Sequence, residues 1–132
     1  MELFGQQRLA AAEVREIVQG LRHLLVVEGP NDAIRLDLLG APAVAVCSNR
    51  ITREQAEKVG RWCRELGVTA TLLFNLDAEG AAGAQQAVVE LAKHCPVRLG
   101  WSRGMQGGRF AGRQLESLGA EEWPLLAERL MA

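Results

Sequence analysis

Leu24-Leu25-Val26-Val27-Glu28-Gly29-Pro30-Asn31-Asp32 decides the fold, and Leu72-Leu73-Phe74-Asn75-Leu76-Asp77-Ala78-Glu79-Gly80 answers it further along the chain. Each half is an apolar run that ends in acids. Short continuous apolar runs of this kind read as strands buried on both faces, which is the condition of strands in a parallel sheet. Open parallel sheets bind their ligands beyond the carboxyl ends of the strands. Two acidic strand tips therefore point to one divalent-cation site. Oxygen donors with no His or Cys nearby favour Mg²⁺ or Mn²⁺ over zinc.

The flanking sequence alternates helical and strand patterns. Residues 9–21 place Val14, Ile17, Val18 and Leu21 on one side and Arg15, Glu16 and Gln19 on the other, which predicts an amphipathic helix ended by Gly20 and the apolar run beyond it. Residues 24–27 form the first strand. Asn31 is placed to cap a helix over 32–39 that Gly40 closes. A short strand at 43–46 follows. Thr52-Arg53-Glu54-Gln55 then offers a capping box for a helix running to Leu66, with Gly67 as its stop.

The third strand spans 68–74. A helix over 83–94, with Val88, Leu91 and Ala92 facing inward and Pro96 just past its end, leads to a fourth strand at 97–101. Residues 102–114 contain Gly104, Gly107, Gly108 and Gly112, too many for regular structure and enough for a functional loop. A last helix at 121–131 carries Pro124 in its first turn. This order predicts an α/β fold: a four-stranded parallel sheet with helices on both faces and right-handed crossovers. It divides into a lead-in and helix at 1–22, a core at 23–101 and a glycine- and arginine-rich loop with its helix at 102–132.

Composition sets limits on function. The chain has 132 residues and a net charge of -1, so any binding of nucleic acid must come from a local patch rather than from the overall field. Lys93, Arg98, Arg103, Arg109 and Arg113 supply one, because no acid lies between Glu90 and Glu116. Cys47, Cys63 and Cys95 lack the spacing of a zinc site or a disulfide framework, and a reducing cytoplasm is the expected compartment. No apolar run approaches membrane-spanning length, and no membrane partner is expected. His23 and His94 have no partner at ligand spacing and read as helix-end or surface residues.

The two acidic motifs resemble those of the toprim domain, the metal-binding catalytic module shared by topoisomerases, bacterial-type primases, small nucleases and recombination proteins. Glu28-Gly29 with Asp32 matches its first motif, a strand ending in Glu-Gly-x-x-Asp. The second, Asp-x-Asp continued as x-Glu-Gly, is matched by Asn75-Leu76-Asp77-Ala78-Glu79-Gly80 with one substitution, asparagine for the first aspartate. A register starting at Asp77, with Glu79 as its second acid, stays open. The likeness extends over residues 24–101 and implies a Rossmann-like toprim fold.

By this resemblance Glu28 is the catalytic acid/base, and Asp32 and Asp77 are metal carboxylates joined by Asn75 and Glu79. Carboxylates at strand tips can hold Mg²⁺ against phosphate oxygens and orient a hydroxyl nucleophile. Asn75 offers a carbonyl oxygen without charge. Asn49 and Arg50 follow the second strand, where toprim domains usually have a glycine-containing turn, and are placed to touch phosphate. Arg103, Arg109 and Arg113, with Trp101 and Phe110 nearby, could grip a phosphate backbone and stack a base. The metal acid that primases carry in a later segment is absent or displaced to Glu116.

Residues 3–9 resemble the short lead-in before toprim in bacterial-type primases and phage primase-helicases. No zinc-binding segment and no Gly-x-x-x-x-Gly-Lys-Ser/Thr is present, so a complete replicative primase is not expected from this chain alone. Three functions stay open: a primase-like toprim domain acting on nucleic-acid phosphodiesters with Mg²⁺ or Mn²⁺, a non-catalytic module binding DNA, RNA or a replication or repair partner, and a small toprim nuclease.

Overall fold

The computed structural model describes residues 3–48 and 50–131. Its centre is a four-stranded, all-parallel sheet in the order β2-β1-β3-β4, built from β1 (His23–Val27), β2 (Ala43–Ala45), β3 (Thr69–Leu72) and β4 (Val97–Leu99). The strands are joined through α2 (Pro30–Leu38), α3 (Arg53–Leu66) and α4 (Ala78–Leu91). Helix α1 (Ala12–Leu21) precedes the sheet and α5 (Trp123–Met131) follows it. The predicted α/β architecture is the observed one.

Alternation along the strands sorts the core into two layers. Leu24, Val26, Ala70 and Leu72 pack with Val59 and Cys63 of α3, Leu91 of α4, and Val14 and Val18 of α1. Leu25, Val27 and Ala45 pack on the other face with Leu36 of α2, Leu126 and Leu130 of α5, and Met105, Phe110, Leu115 and Leu118 of the glycine-rich segment. Helices thus cover both faces, and that segment belongs to the second layer of the core. Within it, Met105–Gly108 is a tight turn with left-handed backbone at Gln106 and Gly107, and Leu115–Ser117 is a short 3₁₀ turn. No described helix is long and apolar enough to cross a membrane.

Local signals were followed where the chain had no competing partner. Thr52 caps α3 by accepting from the Gln55 amide, Gln55 returns the bond to the Thr52 amide, and Gly67 closes the helix at φ 69°. Elsewhere tertiary contacts moved the ends. The cap of α2 is Gly29, with Asp32 reaching back to its amide, and Asn31 lies exposed inside the first turn. Ala11 interrupts the first helix, splitting off a 3₁₀ turn at Gln6–Ala10. That helix runs through Gly20 and ends at Arg22, whose φ of 69° supplies the left-handed stop; Ile17, expected inward, is exposed.

Helix α4 begins at Ala78 and ends at Leu91, both ends earlier than the 83–94 pattern suggests, because Asp77 caps it directly off the second motif. Its buried residues are Gly80, Gly83, Ala87 and Leu91, while Ala92 is exposed. His23 is not a surface residue. It is buried on β1, with Nδ1 2.6 Å from the Thr71 hydroxyl oxygen and Nε2 2.9 Å from the Leu130 carbonyl oxygen. A carbonyl only accepts, so Nε2 carries the proton and Nδ1 accepts from Thr71. Burial lowers the pKa of His23 and keeps this neutral form, which ties β1 to the end of α5.

Candidate functional site

Glu28 leaves β1 half-buried, and its Oε1 accepts from the Asn75 amide at 2.6 Å, joining the tips of β1 and β3. The two acidic motifs are thereby brought to one edge of the sheet. Burial raises the pKa of Glu28, and the nearby charges of Asp77, Asp32 and Glu79 push it further the same way. Among the described residues none of these four acids makes an ion pair with Lys or Arg. Among the described residues the tip therefore holds Glu28, Asp77 and Asp32 with backbone N–H groups and without an ion-pairing side chain.

Asp77 caps α4, with Oδ1 accepting from the Gly80 amide at 2.7 Å. Asp32 is buried; its Oδ2 accepts from Gly29 at 3.2 Å and its Oδ1 from the Glu116 amide at 3.1 Å. Burial raises its pKa and Glu116 adds repulsion. Glu116 is thus brought beside Asp32. Glu79 is exposed in the first turn of α4, where an acid suits the helix dipole. Gly80 is required at its place because a Cβ there would lie 1.8 Å from the Asn75 carbonyl oxygen.

The glycine-rich segment lies across the second motif. The Leu76 amide donates to Arg113 O at 3.2 Å, Gly112 donates to Leu76 O at 3.1 Å, and the Leu115 amide donates to Asn75 Oδ1 at 3.1 Å. Trp101 Nε1 donates to Phe74 O at 2.6 Å. The amide oxygen of Asn75 therefore holds the loop.

This arrangement fits a divalent cation in part. Glu28 keeps Oε2 and Asp77 keeps Oδ2 clear of these bonds, and both are hard oxygens suited to Mg²⁺ or Mn²⁺. Asn75 Oδ1 and both oxygens of Asp32 are committed to amides. Among the described residues no three His, Cys, Asp or Glu side chains gather as a metal-holding group.

The arginines divide by role. Glu122 is buried at the entry to α5 and accepts from Arg109 Nε at 2.8 Å, Arg113 Nη2 at 2.8 Å and the Gly119 amide at 2.9 Å. These bonds hold its pKa down at about 2, with Arg113 the largest cause. Arg109 and Arg113 thus anchor the loop. Sequence reasoning missed Glu122, which follows Glu116 and Glu121 after the acid-free arginine segment and carries no local signal that sets it apart from them.

Trp101 and Phe110 meet with ring centroids 5.6 Å apart and are 4% and 0% exposed, so they pack in the core and offer no face to a base. Arg50 stays exposed and lines a small cleft with Glu79, Ala82 and Gly83. Cys47, at φ 60°, supplies the left-handed residue of the turn before it. Asn49 lies outside the described residues. Arg103 is exposed beside Asn75 and Ser102 at the mouth of a larger cleft.

Glu122→Gln is expected to cost about 2 kcal/mol at pH 7, since charge-assisted hydrogen bonds are lost but water reaches part of the arginine charge. The Arg109 and Arg113 side chains are 47% and 30% exposed. With the folded pKa below the ordinary carboxylate value, this stability is present above about pH 4.5 and disappears as pH falls toward 2. Urea unfolding of both proteins at pH 7 and pH 3 checks it: the gap should narrow at the lower pH.

An open parallel sheet with acids at the tips of its two central strands, crossed by a loop, defines a Rossmann-like α/β class. Among solved structures the chain resembles the crystal structure of the Aquifex aeolicus primase (zinc-binding and RNA polymerase domains), with a TM-score of 0.69 and 20% identity over 88% of this chain. The chain spans 28% of that protein's length. At this identity the likeness establishes the fold. Comparison with protein-family models and with curated protein sequences finds no match.

Proposed function

We propose that the chain is a primase-like toprim module that holds Mg²⁺ or Mn²⁺ at Glu28 and Asp77 and acts on nucleic-acid phosphodiesters by nucleotidyl transfer or cleavage. The observation that carries this reading is the half-buried Glu28 carboxylate, its pKa raised by burial, among three further acids and with no ion pair among the described residues. Such a group costs the fold stability, and groups of this kind cluster at functional sites. The likeness to the Aquifex primase structure supports a nucleic-acid substrate, and the exposure of Arg50 and Arg103 is in keeping with contact to phosphates.

Bound at this edge, the cation would neutralise charge on phosphate oxygens. Oε1 of Glu28 stays fixed on the Asn75 backbone N–H, which leaves Oε2 to the cation. Asp77 Oδ2 is the second anionic donor, and Asp32 and Glu79 add field.

A second reading is favoured by one observation. The side-chain oxygen Oδ1 of Asn75 is spent accepting from the Leu115 N–H, as expected where a metal position has been given over to structure and the module binds nucleic acid or a replication partner without catalysis. Calorimetric titration of MgCl₂ and MnCl₂ into the native chain and Asn75→Asp separates the two. The first reading predicts binding to the native chain, tightened roughly tenfold or more by the added charge. Binding to Asn75→Asp alone would establish the second reading, and heat from neither protein would remove the metal site.

A further inference from the structure

A cleft lies at the open edge of the sheet, and Asn75, Leu76 and Gly80 of the second motif form part of its lining. It has a volume of about 730 Å³ and runs between α4 and β4, lined by Leu72, Phe74, Ala84, Val88, Val89 and Leu99, with Arg103 at its mouth. Val89 is 62% and Leu99 55% exposed, so two large apolar side chains flank a trench that the helix layer does not cover. Volume and apolar lining are those of a binding site.

One wall of the trench is an unpaired strand edge. β4 pairs with β3 alone. Pro96 O accepts from the Ala70 amide and the Gly100 amide donates to Leu72 O, so those residues and Arg98 between them turn their backbone toward β3. By alternation Val97 and Leu99 turn their amides and carbonyls outward. A strand edge beside a helix, with an apolar trench between them, is the arrangement that accepts an extended peptide as an added strand.

Charge selects the peptide. Residues 91–115 contain no acid. Lys93 is paired with Glu90, and Arg109 and Arg113 with Glu122. Arg98 and Arg103, on and just beyond β4, make no ion pair among the described residues. A second copy of β4 would set Arg98 against Arg98, which disfavours self-pairing. Grooves that hold single strands commonly stack the bases on aromatic rings, and in this cleft Phe74 and Trp101 are only 3% and 4% exposed.

We propose that the β4–α4 cleft binds an extended peptide segment that alternates apolar with acidic residues, adding it as a strand to β4. The proposal is independent of metal binding at Glu28, and its test uses the metal-free protein.

Random peptides displayed on phage, selected on the full chain in EDTA, should enrich alternating apolar and Asp/Glu residues. A fluorescent synthetic copy of the winning peptide should bind roughly tenfold or more weakly to Val89→Glu and to Arg103→Glu, because each change opposes the peptide's charge at a central contact. Both positions are exposed, so circular dichroism melts of the variants should match the native protein. Hydrogen exchange at the Val97 and Leu99 amides should slow when the peptide binds.

Failure to enrich acidic-apolar peptides, or equal binding by both variants, would overturn the proposal. Unchanged exchange at Val97 and Leu99 would overturn strand addition. A single-stranded oligonucleotide that displaces the peptide and binds more tightly would assign the cleft to nucleic acid. A dimer in sedimentation that Val89→Glu dissociates would assign it to a second copy.

Discussion

Gly80→Ala should lower the stability of the fold by about 3 kcal/mol, at the upper end for forcing one carbon into a packed site. The reason is geometric. A methyl at this position would sit 1.8 Å from the Asn75 carbonyl oxygen and 2.7 Å from its carbon, and both are backbone atoms that no rotamer change can move. The Gly80 amide is also fixed, because it donates to the carboxylate of Asp77 that caps α4. Relief therefore requires α4 to shift off the tip of β3. For a domain of this size the loss corresponds to a melting temperature lower by on the order of 10 °C. Thermal unfolding followed by circular dichroism checks it, and a drop of only a degree or two would mean that the first turn of α4 slides without strain.

The same shift would move Asp77 and release Asn75 from its contacts, so metal binding should weaken along with stability. The glycine of the second motif is thus needed by the close approach of two backbone segments, whatever the chemistry at the acids.

Glu28→Gln should act in opposite directions on binding and stability. Glutamine keeps an oxygen to accept from the Asn75 amide but removes the charge, so Mg²⁺ binding should fall by roughly tenfold or more. Thermal stability at pH 7 should rise. The pKa of Glu28 is raised by burial and by Asp77, Asp32 and Glu79, so the folded protein holds this proton more tightly than the unfolded chain does. Stability of the native protein therefore falls as pH climbs from the ordinary value of 4.5 through the raised one.

The gain in Glu28→Gln should accordingly be present at pH 7 and vanish below pH 4.5. Melts across that range, beside metal titrations, measure both effects. A variant less stable than the native protein at pH 7 would show that Glu28 is a structural strut between β1 and β3. Joint loss of binding and gain of stability is the signature of a carboxylate kept for function.

The sequence was read most easily where a signal acts over a few residues. Thr52 and Gln55 specify the start of α3 and Gly67 its end, because capping and left-handed closure depend on the local chain alone. The apolar runs before Glu28 and Asn75 were equally plain, since a strand buried on both faces must be apolar throughout. The pairing of Glu28 with the Asn75 segment follows from the parallel order of β1 and β3. Ends decided by contact were hidden: Ala92 continues the helical pattern but falls past the end of α4, and Ile17 fits the apolar stripe of α1 with nothing packed over it.

By itself the sequence determined the α/β class, the identity of the acids at two strand tips and the single amide among them. Only the tertiary structure decided how those groups are spent. Asn75 holds Leu115, Asp32 binds Gly29 and Glu116, and Arg109 and Arg113 are drawn onto Glu122. Periodicity and composition report which residues a strand or helix can bury. The partner of a buried polar atom is set by chain segments that meet only when the sheet and its loop have closed, and desolvation then obliges each such atom to find one.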